Sequence, residues 1–91
     1  MTYMLCRNQV ADFRRWRAAF QRHADAHRQA GLRLVRTWRS ITDPNDVHFM
    51  FEVASLDKAR AFVDDPAAVR AGAECGVLER EYHFVDESDG Y

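Results

Sequence analysis

Residues 46–53 alternate between two kinds of side chain without interruption. The apolar positions are Val47, Phe49, Phe51 and Val53. The positions between them carry an imidazole, a thioether and a carboxylate, on His48, Met50 and Glu52. Because successive side chains of a strand point to opposite faces, this pattern predicts a strand whose apolar face meets a core. The mixed second face predicts contact with a cavity or a partner surface.

Three more segments have strand patterns, at residues 3–10, 32–41 and about 80–86. In the first, one face carries Tyr3, Leu5 and Arg7, and the other carries Met4, Cys6 and Asn8. Neither set is purely polar, so the pattern does not decide which face meets the core. In residues 32–41 both alternating sets are also mixed, and we expect both faces to be partly covered. The turn-forming residues 42–46 should join this strand to the next as an antiparallel hairpin.

A first helix is predicted over residues 12–30. Asp12 suits the N-cap position, where its carboxylate accepts from free backbone N–H groups, and Gly31 suits a left-handed C-terminal stop. The helical apolar stripe consists of Phe13, Trp16 and Phe20, continued by His23 and His27. Its spacing of three and four residues is typical of a helix packed on a core.

A second helical region begins after Ser55, a predicted N-cap. Its expected buried stripe is Leu56, Ala59, Phe62 and Val63. Pro66 cannot continue an interior helix but suits the first position of a new one. We therefore expect a break near residue 65 and a short helix over 66–75, with Gly76 as its stop. Residues 87–91 form a polar tail.

The predicted element order is β-α-β-β-α-β within a single domain over residues 1–91. Two helices on one face of a four-stranded antiparallel sheet make a ferredoxin-like α+β sandwich. The other sheet face carries aromatic and apolar side chains and should be covered by a second subunit, a ligand or nucleic acid.

Several short segments support a family resemblance: residues 7–13, Trp16, Gly31, residues 43–45, residues 52–53 and residues 56–62. With them the chain resembles the dimeric α/β-barrel superfamily, close to the antibiotic-biosynthesis-monooxygenase-like and cyclase-like small proteins. The resemblance covers residues 3–86. It implies a homodimer formed through the sheet faces, with a cavity between each sheet and its helices or within the barrel. Some members oxidise or cyclise aromatic polyketides without a metal or flavin, whereas others degrade haem, decompose chlorite or have no known activity.

Two histidines are candidates for acid–base chemistry, His48 and His83, because a sheltered imidazole can titrate near neutral pH. The alternative is a hydrogen-bonded histidine at a subunit interface. The candidate ligand-binding residues are Arg7, Trp38, Met50 and Glu52. A guanidinium such as that of Arg7 binds carboxylate or enolate oxygens well. Its alternative role is an ion pair between subunits, with Glu52 or Glu81.

His23 and His27 have the spacing that places two imidazoles on one helix face, as in half of a zinc site. No third ligand is evident, and both residues equally fit an extension of the apolar stripe, so we predict no metal and no cofactor. Cys6 and Cys75 are expected to be reduced and to pack as small hydrophobic residues.

The charge balance excludes strong binding to a phosphate backbone, since 13 basic and 14 acidic residues give a net charge of −1. RNA-recognition modules share this strand order, but their basic-glycine-aromatic signature is missing here. No apolar run approaches the roughly 20 residues that span a membrane. Residues 1–5 lack a basic region and enter a strand pattern at once, so we expect no targeting segment and a cytoplasmic protein.

The sequence favours a homodimeric α/β-barrel protein that binds a small, aromatic or polyketide-like molecule. Its activity would be cofactor-independent oxygenation or cyclisation. The second hypothesis is a non-catalytic, stress-related or regulatory module that binds a ligand or a partner. An enclosed pocket that holds a histidine would favour the first.

Overall fold

The structure is a computed structural model that describes residues 1–90; Tyr91, the end of the predicted polar tail, lies outside the described residues. The elements in chain order are β1 (Thr2–Val10), α1 (Phe13–Arg22), α2 (Ala24–Gln29), β2 (Leu32–Arg39), β3 (Asp46–Val53), α3 (Leu56–Asp64), α4 (Pro66–Glu74) and β4 (Val77–Asp86). The strands form one antiparallel sheet in the order β2-β3-β1-β4. The predicted ferredoxin-like α+β fold is confirmed, with each predicted helical region divided into two helices. Within residues 1–90, no helix has the length and apolar character needed to cross a membrane.

The predicted division at residue 65 is correct, but the single helix predicted over residues 12–30 is wrong at its centre. The helix stops at Arg22 and restarts at Ala24, and the N–H of His23 donates to the carbonyl of Phe20 at 3.1 Å in a tightened last turn. No large apolar side chain lies between Phe20 and His27. Across this break the His27 ring packs against Phe20, with ring centroids 4.8 Å apart.

The predicted helix boundaries depend on capping groups that are present in the structure. Each cap side chain accepts from a nearby backbone N–H: Asp12 from Arg14 at 3.0 Å, Ser55 from Lys58 at 3.3 Å, and Asp65 from Ala67 at 2.9 Å. Pro66 begins α4, and Gly76 follows it with a φ of 81°, a left-handed conformation that glycine adopts without strain. Leu56, predicted to be buried, is instead exposed at the first position of α3.

The apolar face of β3 meets the helices as predicted. Its four members, Val47, Phe49, Phe51 and Val53, are at most 7% exposed. The undecided face of β1 follows from the strand register, because Cys6 lies opposite Phe49 on β3 and Tyr82 on β4. Met4, Cys6 and Asn8 therefore face the helices, and Tyr3, Leu5 and Arg7 face away from them. We call these the helix-side face and the open face of the sheet.

Strand β2 contains an irregularity that the sequence pattern does not reveal. Leu34 lies opposite Phe51 and Arg36 lies opposite Met50, with the register shift between them. The extra residue, Val35, moves Leu34 and Arg36 to different faces and breaks the predicted alternation. β2 is also an edge strand in which only Leu32 is buried, and Leu34 and Trp38, on opposite faces, are 41% and 46% exposed, so each face is at most partly covered within a single chain.

Strand β4 begins earlier than the predicted residue 80. The carbonyl of Gly76 accepts from the N–H of Ala11 at 2.9 Å, and Val77 already pairs with Val10. The left-handed turn at Gly76 thus leads the chain directly from α4 into the sheet beside β1.

Candidate functional site

The side chains predicted to form a site all lie on the open face of the sheet. They are Arg7, Trp38, His48, Met50, Glu52 and His83. Trp38, His48 and Arg7 are consecutive partners across β2, β3 and β1. Met50, Leu5 and His83 form the neighbouring row across β3, β1 and β4. The structure therefore brings the predicted residues together on one surface.

Arg7 is engaged by groups of its own chain. Its Nε donates to Asp46 Oδ1 at 2.7 Å, and its NH1 lies 3.5 Å from Glu81 Oε1. The hydrogen bond to Asp46 raises the pKa of Arg7. The Asp46 carboxylate also lies 3.6 Å from His48 Nε2. The predicted ion pair with Glu81 thus exists within one chain, and Glu52 is paired with Arg33 on β2.

His48 and His83 are on strands that flank β1 and are offset by two residues along it, which places their Cα atoms about 12 Å apart. They do not form a hydrogen-bonded dyad. Both line a shallow depression of about 150 Å³, together with Leu5, Arg7 and Glu81. A space of this size holds at most one aromatic ring.

A much larger cavity, of about 570 Å³, lies on the other side of the sheet, between the strands and the helices. Its volume is typical of small-molecule sites. The floor consists of Met4, Cys6, Asn8, Phe49, Phe51 and Tyr82. The walls come from α1 and α2 on one side and from α3 and α4 on the other. A cavity between the sheet and its helices is one of the two places that the family resemblance implies, but none of the predicted site residues lines it, because β1 could not be oriented from its own pattern.

The wall formed by α1 and α2 is aromatic. Trp16 stacks on Phe20 with ring centroids 4.7 Å apart, and Phe20 meets Phe49 at 5.2 Å. The His27 ring continues the group, 5.1 Å from Phe51 and 5.6 Å from Phe62. Such a lining favours a flat, apolar ligand.

One end of the cavity is polar, where Asn8 on β1 lies directly opposite Arg80 on β4. In the amide orientation that satisfies both ends, Asn8 Oδ1 accepts from Trp16 Nε1 at 3.2 Å and Nδ2 donates to the Arg7 carbonyl at 3.0 Å. A primary amide has two N–H groups, so one donor of Asn8 remains. Arg80 donates through NH2 to the Val63 carbonyl at 3.1 Å, which holds its side chain over the sheet.

Burial sets the protonation of two cavity side chains. It lowers the pKa of His27 to about 4, helped by the nearby charge of His23, so the imidazole is neutral at pH 7. Burial also raises the pKa of the Cys6 thiol to about 12, so Cys6 is not a thiolate nucleophile at that pH.

His27 packs among aromatic rings, which agrees with its predicted place on the apolar stripe. Among residues 1–90, no group of three His, Cys, Asp or Glu side chains is arranged to hold a metal ion. Cys6 and Cys75 are both buried free thiols.

No protein-family model matches the chain, and no curated protein sequence matches it. Several solved structures match it in fold. A protein named as an antibiotic biosynthesis monooxygenase from Bordetella bronchiseptica is 17% identical with a TM-score of 0.73, over 96% of each chain. A variant of SnoaB, a cofactor-independent oxygenase from Streptomyces nogalater, is 16% identical with a TM-score of 0.73, over 98% of this chain and 94% of the other. An uncharacterised NIPSNAP domain protein from Burkholderia xenovorans is 13% identical with a TM-score of 0.65, over 97% and 95%.

At these identities the likeness concerns the fold, and it confirms at that level the resemblance expected from the sequence. The chain has the ferredoxin-like fold of the antibiotic-biosynthesis-monooxygenase-like proteins.

Proposed function

We propose that the protein binds a small, planar, polyketide-like aromatic molecule in the helix-side cavity and oxygenates it with dioxygen, without a metal or flavin. The observation that carries the proposal is the cavity itself. It has about 570 Å³ of space, aromatic walls and hydrogen-bond donors gathered at one end. The shared fold with SnoaB, a cofactor-independent oxygenase, supports the choice of reaction.

The polar end of the cavity suits an oxygen atom that gains negative charge. A ring CH₂ group conjugated with a ketone loses a proton to solvent water to give an enolate, and a proton from water returns later to the peroxide that dioxygen forms. The free N–H of Asn8 and the guanidinium of Arg80 would stabilise its oxygen. Donors that are already fixed in place stabilise such charge without the reorganisation that water would need.

The enolate carbon then supplies the electrons that reduce dioxygen. One oxygen atom forms a C–O bond, and the resulting hydroperoxide loses water to leave a ketone. The balance is CH₂ plus O₂ giving C=O plus H₂O, with the substrate oxidised and dioxygen reduced. The same enolate attacking a carbonyl of the substrate would give cyclisation instead, so the donors of Asn8 and Arg80 serve both outcomes.

The open face of the sheet is proposed as the surface for a second copy of the chain. Leu5 and Trp38 are large hydrophobic side chains, 40% and 46% exposed there. Met50 lies between them, and Glu52 and Arg33 form an ion pair at its edge. The acid–base role of His48 and His83 stays a prediction, and the larger cavity on the other face is the better supported site.

Oxygen uptake with 1,8-dihydroxyanthrone as the probe tests the proposal. We expect the protein to accelerate oxygen consumption above the rate of spontaneous oxidation, with an anthraquinone as product. Asn8→Ala and Arg80→Gln should each lower the rate by about 100–1,000-fold, as loss of an oxyanion donor does. Arg70→Gln removes the same charge from the exposed side of α4 and should have no effect.

Two results would count against oxygenation. Binding of the probe without faster oxygen uptake would support the alternative, a non-catalytic ligand-binding module. Equal losses in Arg80→Gln and Arg70→Gln would show that overall charge, and not a donor in the cavity, controls the rate.

A further inference from the structure

The imidazole of His27 forms no hydrogen bond with the described part of the chain, although aromatic rings surround it on three sides. Its neighbours are Phe20, Phe51 and Phe62, with ring centroids 4.8, 5.1 and 5.6 Å away. These contacts fix the position of the ring but give neither nitrogen a hydrogen-bond partner.

The nitrogens must therefore reach open space. Among residues 1–90 no buried side-chain nitrogen or oxygen lacks a hydrogen-bond partner, so the unbonded imidazole nitrogens are not sealed in the core. The space that His27 lines is the helix-side cavity. His27 is half-buried and lines this cavity, and its neutral imidazole carries one acceptor and one N–H donor with no partner among the described residues.

We propose that His27 is a specificity-determining residue that binds a neutral hydroxyl group of the ligand. The inference rests on the proposed function and deepens it: the occupant is a hydroxylated aromatic, whose hydroxyl meets His27 while its rings lie on the aromatic wall. Because an uncharged imidazole can both accept from and donate to a hydroxyl, it distinguishes an aromatic alcohol from a hydrocarbon of the same shape.

The surroundings of His27 favour its neutral form. Its nearest titratable neighbour is His23, whose positive charge would oppose a second one, and its ring contacts are otherwise to phenylalanines. A ligand hydroxyl therefore meets a hydrogen-bonding imidazole and not a cation. Arg80 also lines the cavity, so a charged donor is available to the ligand as well.

Paired ligands of equal size test the assignment: 1-naphthol and 1-methylnaphthalene, titrated by fluorescence. The unaltered protein should bind 1-naphthol about tenfold more tightly, which is the effect of one hydrogen bond in a sheltered site. His27→Phe keeps the aromatic packing and should remove that preference, with the affinity for 1-methylnaphthalene held within about twofold. Gln29→Phe, on the exposed side of α2, should leave the preference intact.

His27→Gln provides a second variant in case the phenylalanine disturbs packing, since an amide retains both an acceptor and a donor. It should keep part of the preference for 1-naphthol. A preference that survives in His27→Phe, or that is absent from the unaltered protein, overturns the role of His27 but leaves cavity binding in place. Failure of both naphthalenes to bind contradicts the proposed function and the inference together.

Discussion

The indole N–H of Trp16 on α1 lies 3.2 Å from the side-chain oxygen of Asn8 on β1, in the amide orientation that satisfies both residues. This hydrogen bond joins the helix layer to the sheet at the polar end of the cavity. It also fixes the Asn8 amide so that Nδ2 reaches the Arg7 carbonyl and one N–H remains. Stability and the proposed ligand binding would therefore be linked through one side chain.

A double-mutant cycle on this pair should show coupling. Asn8→Ala leaves the buried indole N–H without a partner, and we expect a loss of about 1–2 kcal/mol in the free energy of unfolding. Trp16→Phe removes the donor, so Asn8→Ala should cost about 1 kcal/mol less in that background. Urea unfolding measures all four proteins. Strictly additive effects would show that the hydrogen bond contributes nothing.

Gly76→Ala should destabilise the protein by about 1 kcal/mol, because an L-residue is strained in the left-handed conformation. Gly76 has a φ of 81° and connects α4 to β4 beside Ala11. Gly90 is the matched control, with a φ of 64° in the polar tail and open space where an added methyl group would lie. Gly90→Ala should be nearly neutral in thermal unfolding, because the tail contributes little to the packed fold. Equal shifts in melting temperature would contradict the capping role of Gly76.

The pH dependence of stability should contain a contribution from His27. Its pKa falls from 6.5 to about 4 on folding, so the unfolded chain binds more protons between these pH values. The free energy of unfolding is therefore not reduced by His27 above pH 6.5, and it declines as the pH falls toward 4. This difference in pKa corresponds to roughly 3 kcal/mol in the free energy of unfolding. Because His27 is partly exposed, we expect a smaller effect of about 2 kcal/mol.

His27→Phe isolates this contribution from that of the carboxylates. Urea unfolding at pH 7.5 and pH 4.5 should give a smaller difference for the variant than for the unaltered protein. If both proteins lose the same stability over this interval, the imidazole is not desolvated in the folded state.

Self-association should depend on the open face. Leu5 lies at its centre on β1 and is 40% exposed, so Leu5→Glu places a charge in the proposed interface. We expect sedimentation velocity to show a dimer for the unaltered protein and a monomer for this variant. Leu56→Glu adds the same charge on the helix side, at an exposed position where it suits the start of α3, and should remain dimeric. A monomeric unaltered protein at micromolar concentration would contradict the proposed interface.

The sequence was sufficient for those parts of the fold that depend on local rules. The strict alternation of β3 predicts its buried face, and Asp12, Ser55 and Asp65 mark helix starts by their ability to accept from free N–H groups. The antiparallel sheet then follows from the element order.

The remaining features depend on tertiary contacts. Both faces of β1 are mixed, so only its pairing with β3 and β4 shows that Asn8 faces the helices. The extra residue at Val35 and the helix break at His23 are responses to packing that leave no clear trace in the periodicity. The residues that line the cavity were missed for the same reason, and the predicted acid–base residues His48 and His83 lie on the opposite face of the sheet.

The location of the bound ligand is the most direct test. In two-dimensional NMR of the methyl groups, saturating 1-naphthol should shift Val63 and Ala71, which line the cavity, and leave Leu5 and Val85 on the open face unchanged. Ala71→Trp should fill the cavity and abolish these shifts. Shifts confined to Leu5 and Val85 would place the ligand on the open face and contradict binding between the sheet and the helices.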